Sequence, residues 1–495
     1  MILSKEQEIL KGGLSEGFQE VVKKVFRSAL EGVAIHLVEE DLWRSLQALG
    51  LQLIQAYVQC QGTGDLGPTL EEGGKRLRRL EKVHERRYVS IFGPLKISRT
   101  IYGSREAQKH EVVPLDGRLG LPEDEFSLLF QNWAQQFCVN MSFSKAKDLL
   151  KEVLGIGTSV RTLEHMNRAN AKDIRGFLEA QPEARKIEGG KIHVLTADGK
   201  GVPMRLPGGA KKEGKRRKKG EKATKKREAC VGGSYIVDRF VRSPEDVVDE
   251  ILRKKKEESR PRPEDKRLQA ELSRTEGGRE INGKDEIFAW LKKMKEERDP
   301  EGKSPLVIVM DGARYFWKKA KEIFPEAVMV LDLYHVMERL WVIAHVFFPE
   351  GSEEAEGYVE KILLGILRGR TGRVVGGIQQ KATKLGISGE KKKRLMKALR
   401  YLKNNKEYMR YDQYLAEGYP IGSGVVEGAC RHLVKDRMEL SGMTWTVEGA
   451  QAMLWLRARA INEEWKDFHA YRAEKVMANL YPWRDRILEK WPIAA

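Results

Sequence analysis

Two apolar, β-branched runs each end on an Asp-Gly pair. HVLTADGKG closes on Asp198 and LVIVMDGAR closes on Asp311. This pattern restricts the fold more than any other feature of the chain. Runs of that kind are suited to buried strands, and Asp-Gly is turn chemistry that puts the acid at a strand end. A third segment, 420–446, reads PIGSGVVEGACRHLVKDRMELSGMTWT. There Glu427 opens a helix that Ser423 is expected to cap, with Arg431 and Lys435 following at i+4 and i+8 on one face. The spacing predicts that this helix runs to about Ser441-Gly442. Strands that carry acids, separated by helical patterns, imply an α/β domain.

The surrounding chain divides by pattern. Strands are expected at 192–197, 229–237, 305–310 and 327–331, with 245–297 mostly helical. Residues 15–60 carry apolar positions at helical spacing, and 86–103 alternate around Gly93-Pro94 as a hairpin would. The stretch 111–122 reads as an extended linker, and helical patterning returns at 123–138. Residues 142–170 show helix, short turn, helix, with Gly155 and Gly157 in the turn and Thr158 or Ser159 as the second cap. A helix-turn-helix has this spacing and would present Arg161, His165 and Arg168 to a major groove. An ordinary αα-hairpin has it too. Residues 336–418 read as a helical insertion, and a last amphipathic helix spans about 446–464. The expected divisions are 1–80, helical; 81–185, hairpin and helix-turn-helix; 186–335, the first part of the α/β core; 336–420, the insertion; and 421–495, the final part of the core.

The chain of 495 residues is 41% hydrophobic, enough for a large core, and carries a net charge of +18. The positive excess is clustered. Residues 205–228 hold twelve Lys/Arg against three Glu. A run this basic does not pack; it serves as a clamp on a polyanion's phosphates or stands as a solvated loop. Its place directly after the Asp198 strand favours the clamp. Lys200, Arg205, Lys215, Arg216, Arg217, Lys218 and Lys219 are the candidate phosphate contacts there, and Arg431, Lys435 and Arg437 those on the Glu427 helix. The four cysteines lie far apart with no CxxC pair, which argues against a disulfide framework or structural zinc. No run of eighteen apolar residues and no signal-peptide pattern occurs, so a cytoplasmic, nucleoid-associated protein without a membrane partner is expected. No GxxxxGK[ST] occurs, so no nucleotide cofactor is expected.

Three acids delivered by two strands and a helix suit a two-metal phosphoryl-transfer site. Magnesium, or manganese, prefers carboxylate, phosphate and water oxygens. Asp198, Asp311 and Glu427 are the candidate ligands for two ions. Asp332 and His335, in LDLYHVMERLW, fall on one helical turn after the fourth strand. Asp332 rivals Asp311 as a ligand, and His335 would orient a phosphate or a water. A capping aspartate with a satisfied histidine is the plainer reading. Trp445 could stack on an unpaired base, although a core tryptophan at a helix corner fits the pattern better.

The segments ADGKGVPMR (197–205), VMDGARYFWKKA (309–320), LDLYHVMERLW (331–341) and IGSGVVEGACRHLVKDRMELSGMTW (421–445) resemble DDE transposases of bacterial insertion sequences, of the ISKra type within the Mutator-like group. PLDGRLGLPEDEFSLLF (114–130) resembles the family's N-terminal region. The resemblance implies a ribonuclease H-like catalytic domain with a helical insertion before the last acid, and Asp198, Asp311 and Glu427 as the metal triad. It places Asp332 and His335 in a C/D-x-x-H signature outside that triad. It further implies cleavage and strand transfer at terminal inverted repeats, with DNA as partner and a homo-oligomer, expected to be a dimer, as the working form. A hydrolytic nuclease of the same fold, or a silent DNA-binding protein, is the alternative.

Overall fold

The computed structural model describes residues 5–104, 112–205, 225–253, 260–440, 442–489 and 491. They form two compact units, Met1–Phe177 with Glu464–Ala495, and Leu178–Glu463.

The first unit begins with two antiparallel helices, α1 (Lys5–Leu30) and α2 (Ile35–Gln59). Strands β1 (Thr69–Glu72), β2 (Lys75–Arg79) and β5 (Tyr102–Gly103) make one small sheet, and β3 (His84–Ser90) pairs with β4 (Gly93–Arg99) as the expected hairpin, whose turn is Ile91-Phe92, with Gly93-Pro94 opening the second strand. Helix α3 (Pro114–Leu119) occupies the stretch expected to be an extended linker. Its proline sits in the first turn, where no backbone donor is needed. Asp116, buried in α3, ties this region together by pairing with Arg86 at 3.0 Å and with Arg99. Helices α4 (Leu128–Asn140), α5 (Phe143–Leu154) and α6 (Val160–Ala171) pack on one another. Gly155 ends α5 in the left-handed region, and the Ser159 hydroxyl accepts from the Thr162 N–H to start α6. The short α7 (Ile174–Ala180) follows.

The second unit is built on a mixed five-stranded sheet. Its strands are β6 (Ile192–Met204), β7 (Lys225–Val237), β8 (Glu264–Leu272), β11 (Leu306–Met310) and β12 (Val328–Leu331). Their order is β12-β11-β6-β7-β8; β11 is parallel to both β12 and β6, while β7 runs antiparallel to β6 and β8. Helix α8 (Pro244–Ile251) precedes β8, and the ribbon β9 (Arg274–Glu276) and β10 (Arg279–Ile281) leads to α9 (Gly283–Arg298). The expectation that 245–297 is mostly helical fails at β8. EDKRLQAEL has helix-forming composition, but β8 lies along β7 under a later helix, Val447–Ile461, so tertiary packing overrides propensity. Helices α10 (Arg314–Ile323) and α11 (Leu333–Phe347) flank β12 in sequence, and α12 (Glu353–Leu367), α13 (Thr371–Lys384), α14 (Gly389–Asn404) and α15 (Tyr411–Ala416) form the expected insertion. One core runs from the sheet into it, from Val194 and Val307 through Leu340 and Ile343 to Leu363 and Leu399.

After the insertion come α16 (Gly424–Ala429), a π-helical stretch Cys430–Lys435, α17 (Asp436–Met438) and α18 (Val447–Ile461). The last helices, α19 (Trp465–Leu480) and α20 (Arg484–Leu488), belong to the first unit, whereas the sequence reading grouped 421–495 with the α/β core. Phe468 packs against Phe177, and Tyr481, Trp483 and Ile487 complete a cluster with Leu70, Leu77 and Tyr102.

Candidate active site

Strand register assembles the acids. Ala197 stands opposite Met310, and Met310 opposite Leu331. The residues that follow, Asp198, Asp311 and Asp332, therefore lie side by side at one level of three adjacent parallel strands. The β11 strand is the immediate neighbour of β6 and β12 is one place farther out.

The three aspartates are held differently. Asp198 accepts hydrogen bonds from the Gly199 N–H at 2.6 Å and the Cys430 thiol at 3.2 Å. Burial pushes its carboxyl above the usual range and the charge of Asp311 adds to this, while the Cys430 hydrogen bond and His335 oppose it. Asp311 accepts from the Ala313 N–H at 3.0 Å, and its carbonyl accepts from the Tyr401 hydroxyl at 2.7 Å. Gly312 makes the turn at φ 93°; a Cβ there would meet Leu331 at 3.0 Å and Asn405 at 3.1 Å. Asp332 is fully buried. It caps α11 by accepting from the Tyr334 N–H at 2.9 Å, and its other oxygen takes His335 Nδ1 at 3.3 Å and the Ser423 hydroxyl. Its burial and these three partners tie it into the fold more tightly than the two aspartates beside it.

Ser423 thus does not cap the Glu427 helix. Its side chain is turned to Asp332, and α16 has no side-chain cap. Together with the Leu333 N–H donating to the Ile421 carbonyl at 2.9 Å, this bond docks the loop before α16 onto the strand ends. Glu427 is exposed on α16, three residues before the Cys430 that touches Asp198. Sequence reading missed Cys430; its i+3 spacing from Glu427 was the available signal. His335 is raised to about 9, first by its hydrogen bond to Asp332 and further by the charges of Asp332 and Asp311, against burial. It is an imidazolium at neutral pH beside two carboxylates.

The face of cations also differs from expectation. The i→i+5 stretch at Cys430–Lys435 shifts the helical register. Arg431 and Lys435 remain exposed, but Arg437 is buried, with its guanidinium 5.0 Å from the Trp445 ring centre and a hydrogen bond to Met443 Sδ. It is a packing cation and not an open phosphate contact. Trp445 is itself core: its indole N–H donates to the Met438 carbonyl at 3.1 Å and its backbone bridges to Pro203 and Arg205. Lys200 is half-buried and Arg205 exposed. Lys215, Arg216, Arg217, Lys218 and Lys219 lie outside the described residues. In the first unit, Arg161 and His165 are exposed and Arg168 half-buried on α6. An apolar cleft of about 310 Å³ lies next to the docked loop, lined by Phe240, Leu333, Tyr334 and Tyr419 with Arg242 in its wall; none of the three strand-end aspartates lines it.

The donor chemistry fits a hard divalent cation. Asp198 and Asp311 offer carboxylate oxygens from neighbouring strands, and their mutual repulsion in a partly buried site is what a cation relieves. Among the described residues, no group of three or more His, Cys, Asp or Glu side chains is gathered closely enough to hold a metal ion.

A mixed α/β sheet with acids in register at its strand ends, beside helices bearing exposed cations, defines a protein equipped to work on a polyanion. Residues 247–488 match a family model described as transposase, of the DDE type and the ISL3 group. Over that stretch the chain is similar to insertion-sequence transposases, and the match supports a DNA transposase in general. The ISL3 group is distinct from the ISKra type that the motifs resemble. The matched stretch holds Asp311, Asp332, His335 and Glu427, and Asp198 precedes it. None of the curated proteins matches the chain. Among the described residues, no helix is long and apolar enough to cross a membrane.

Proposed function

We propose that the chain is a DDE transposase that cuts and joins DNA strands at the terminal inverted repeats of its element, through a ribonuclease H-like domain spanning the five-stranded sheet. The observation that carries this reading is the register placing Asp198 beside Asp311, with the loop before Glu427 docked on the same strand ends through Ser423 and Asp332. In this reading Asp198, Asp311 and Glu427 would hold two Mg²⁺ or Mn²⁺ ions once drawn together, since in this structure the three side chains are not gathered closely enough to do so. When bound, such ions supply activation of the attacking oxygen and stabilisation of the leaving one.

The chain's own groups do the rest. His335, cationic at neutral pH, faces the non-bridging oxygens of the scissile phosphate and offsets their charge. Asp332 holds His335 through Nδ1, so the imidazolium keeps one orientation. Cys430 fixes one oxygen of Asp198 and leaves the carboxylate in a single rotamer. Arg431, Lys435, Lys200, Arg205 and the basic 205–228 segment track the backbone, and α5–α6 act as a helix-turn-helix with Arg161 and Arg168 toward a groove.

The test is cleavage of a duplex carrying the element's own ends, with Mg²⁺ or with EDTA, beside Asp311→Asn. Metal-dependent cuts at the end junctions that vanish in the variant are the expected result. Binding without cleavage in any divalent ion would overturn the reading.

A further inference from the structure

The helical insertion carries its charge in two halves. Helix α12 holds four Glu against one Lys. Residues 371–406, across α13 and α14, hold eleven Lys/Arg against one Glu. That excess of ten exceeds the one in 205–228 and stands in a chain of net charge +18. A surface that serves solubility alone intersperses its signs, whereas one of a single sign attracts the opposite charge.

Helix α14 has two faces. Leu395, Ala398, Leu399 and Leu402 are buried against the rest of the insertion. Lys393, Arg394, Lys397 and Arg400 are all exposed and fall within about 120° of one another on the other side of the helix. Lys393 pairs with Glu390 at 2.7 Å, and among the described residues no acid pairs with Arg394, Lys397 or Arg400. Lys397 has Lys393 at i−4, Arg394 at i−3 and Arg400 at i+3. Each of these like-charge neighbours destabilises the helix, and a polyanion laid along the face relieves them.

The face is tied to the catalytic strand ends. Tyr401 continues the row of Arg394 and Lys397, at i+7 and i+4, and its hydroxyl donates to the Asp311 carbonyl at 2.7 Å. Arg339, one turn beyond His335 on α11, has its guanidinium 5.1 Å from the Tyr401 ring centre. The α14 cations therefore begin beside Asp311 and lead away from it. Tyr401 to Lys393 is about 12 Å of helix, the axial length of roughly three to four base pairs.

We propose that α14 is a duplex-DNA face of the insertion, on which Lys393, Arg394, Lys397 and Arg400 hold consecutive phosphates of the DNA arm that leaves the strand ends past Asp311. Contacts of this kind fix the position of the duplex and carry no base readout. The proposal rests on the reading of DNA as substrate, and it depends on neither metal nor cleavage.

Fluorescence anisotropy of the full-length chain with a labelled duplex of arbitrary sequence, in EDTA and between about 50 and 200 mM salt, tests it. Arg394→Gln with Lys397→Gln and Arg400→Gln should make the log–log slope shallower by up to about 2.7, at about 0.9 per lost phosphate contact. The far-UV spectrum should not change, since all three positions are exposed. Lys11→Gln with Lys23→Gln and Lys24→Gln removes the same net charge from α1, in a region (5–59) of six Lys/Arg against eight Asp/Glu, and should leave the slope as it is. On a duplex carrying the element's ends, ethylation of phosphates within roughly four base pairs of the junction should weaken the wild type and have no effect on the α14 variant. An α14 variant with the wild-type slope, an equal change in the α1 variant, or the same ethylation pattern in both proteins would each overturn the proposal. A protein that cuts no end in any divalent ion and yet shows the slope change would support this proposal and overturn only the catalytic reading.

Discussion

Asp332 and Glu427 show how differently two acids in one site can be held. Asp332 is buried and accepts from Tyr334, His335 and Ser423. Asp332→Ala removes a cap and strands the remaining polar groups, so denaturant unfolding should show a loss of about 3–5 kcal/mol. Glu427 is exposed. Glu427→Gln should leave stability within about 0.5 kcal/mol, while end cleavage falls by about 10³-fold or more if several kcal/mol of transition-state stabilisation pass through it. A second residue-scale effect concerns pH. His193 is buried in β6, bonded through Nε2 to Ser234 at 2.9 Å, and burial followed by the charges of Arg298 and Lys295 lowers it from 6.5 to about 3. A histidine lowered in the folded state is protonated first in the unfolded chain. Its effect on stability is therefore absent above pH 6.5 and grows as a loss from there down to about pH 3. Urea titrations at pH 7 and pH 4.5 should show a smaller difference for His193→Gln than for the wild type.

The element that sets the site's shape is the interrupted helix 424–438. Its π stretch is held from α18, where Arg457 donates to the Leu433 carbonyl at 2.8 Å and to the His432 carbonyl. Arg457 is buried, and burial lowers it to about 10. Arg457→Met should cost about 3 kcal/mol and speed amide hydrogen exchange across 430–435 more than across β6. Unchanged exchange there would mean that the π stretch does not depend on α18. Elements defined by their own periodicity were legible beforehand: the helices of 142–170, the Gly93-Pro94 hairpin and the insertion all lie where the pattern put them. The β8 strand was not legible, because a charged edge strand takes its state from β7 on one side and α18 above it.

For the whole molecule, a net charge of +18 sets how binding responds to salt. A chain neutralising 6–10 phosphates should lose about 10³–10⁵ in affinity between 50 and 200 mM salt. Replacing Lys215, Arg216, Arg217, Lys218 and Lys219 with serine should make the log–log slope shallower by up to about 4.5, at about 0.9 per lost phosphate contact. A slope unchanged by that replacement would mean that the basic segment does not touch the backbone. The near-neutral α1–α2 hairpin should contribute nothing to the slope.

By itself the sequence nominated the acids for the chemistry and indicated the α/β class of the domain that holds them. An apolar run ending on Asp-Gly is a local pattern, and local patterns survive folding. Only the tertiary structure decided which acid stands beside which. Asp198 comes beside Asp311 through strand register between segments more than a hundred residues apart, and Asp332 through register with the strand that follows β11. It was also the tertiary structure that turned Ser423 from a cap into a tie on Asp332, buried Arg437 and Trp445 against each other, and brought Cys430 to Asp198. Those assignments depend on which surfaces meet and how much water they exclude, and spacing along one chain carries neither quantity.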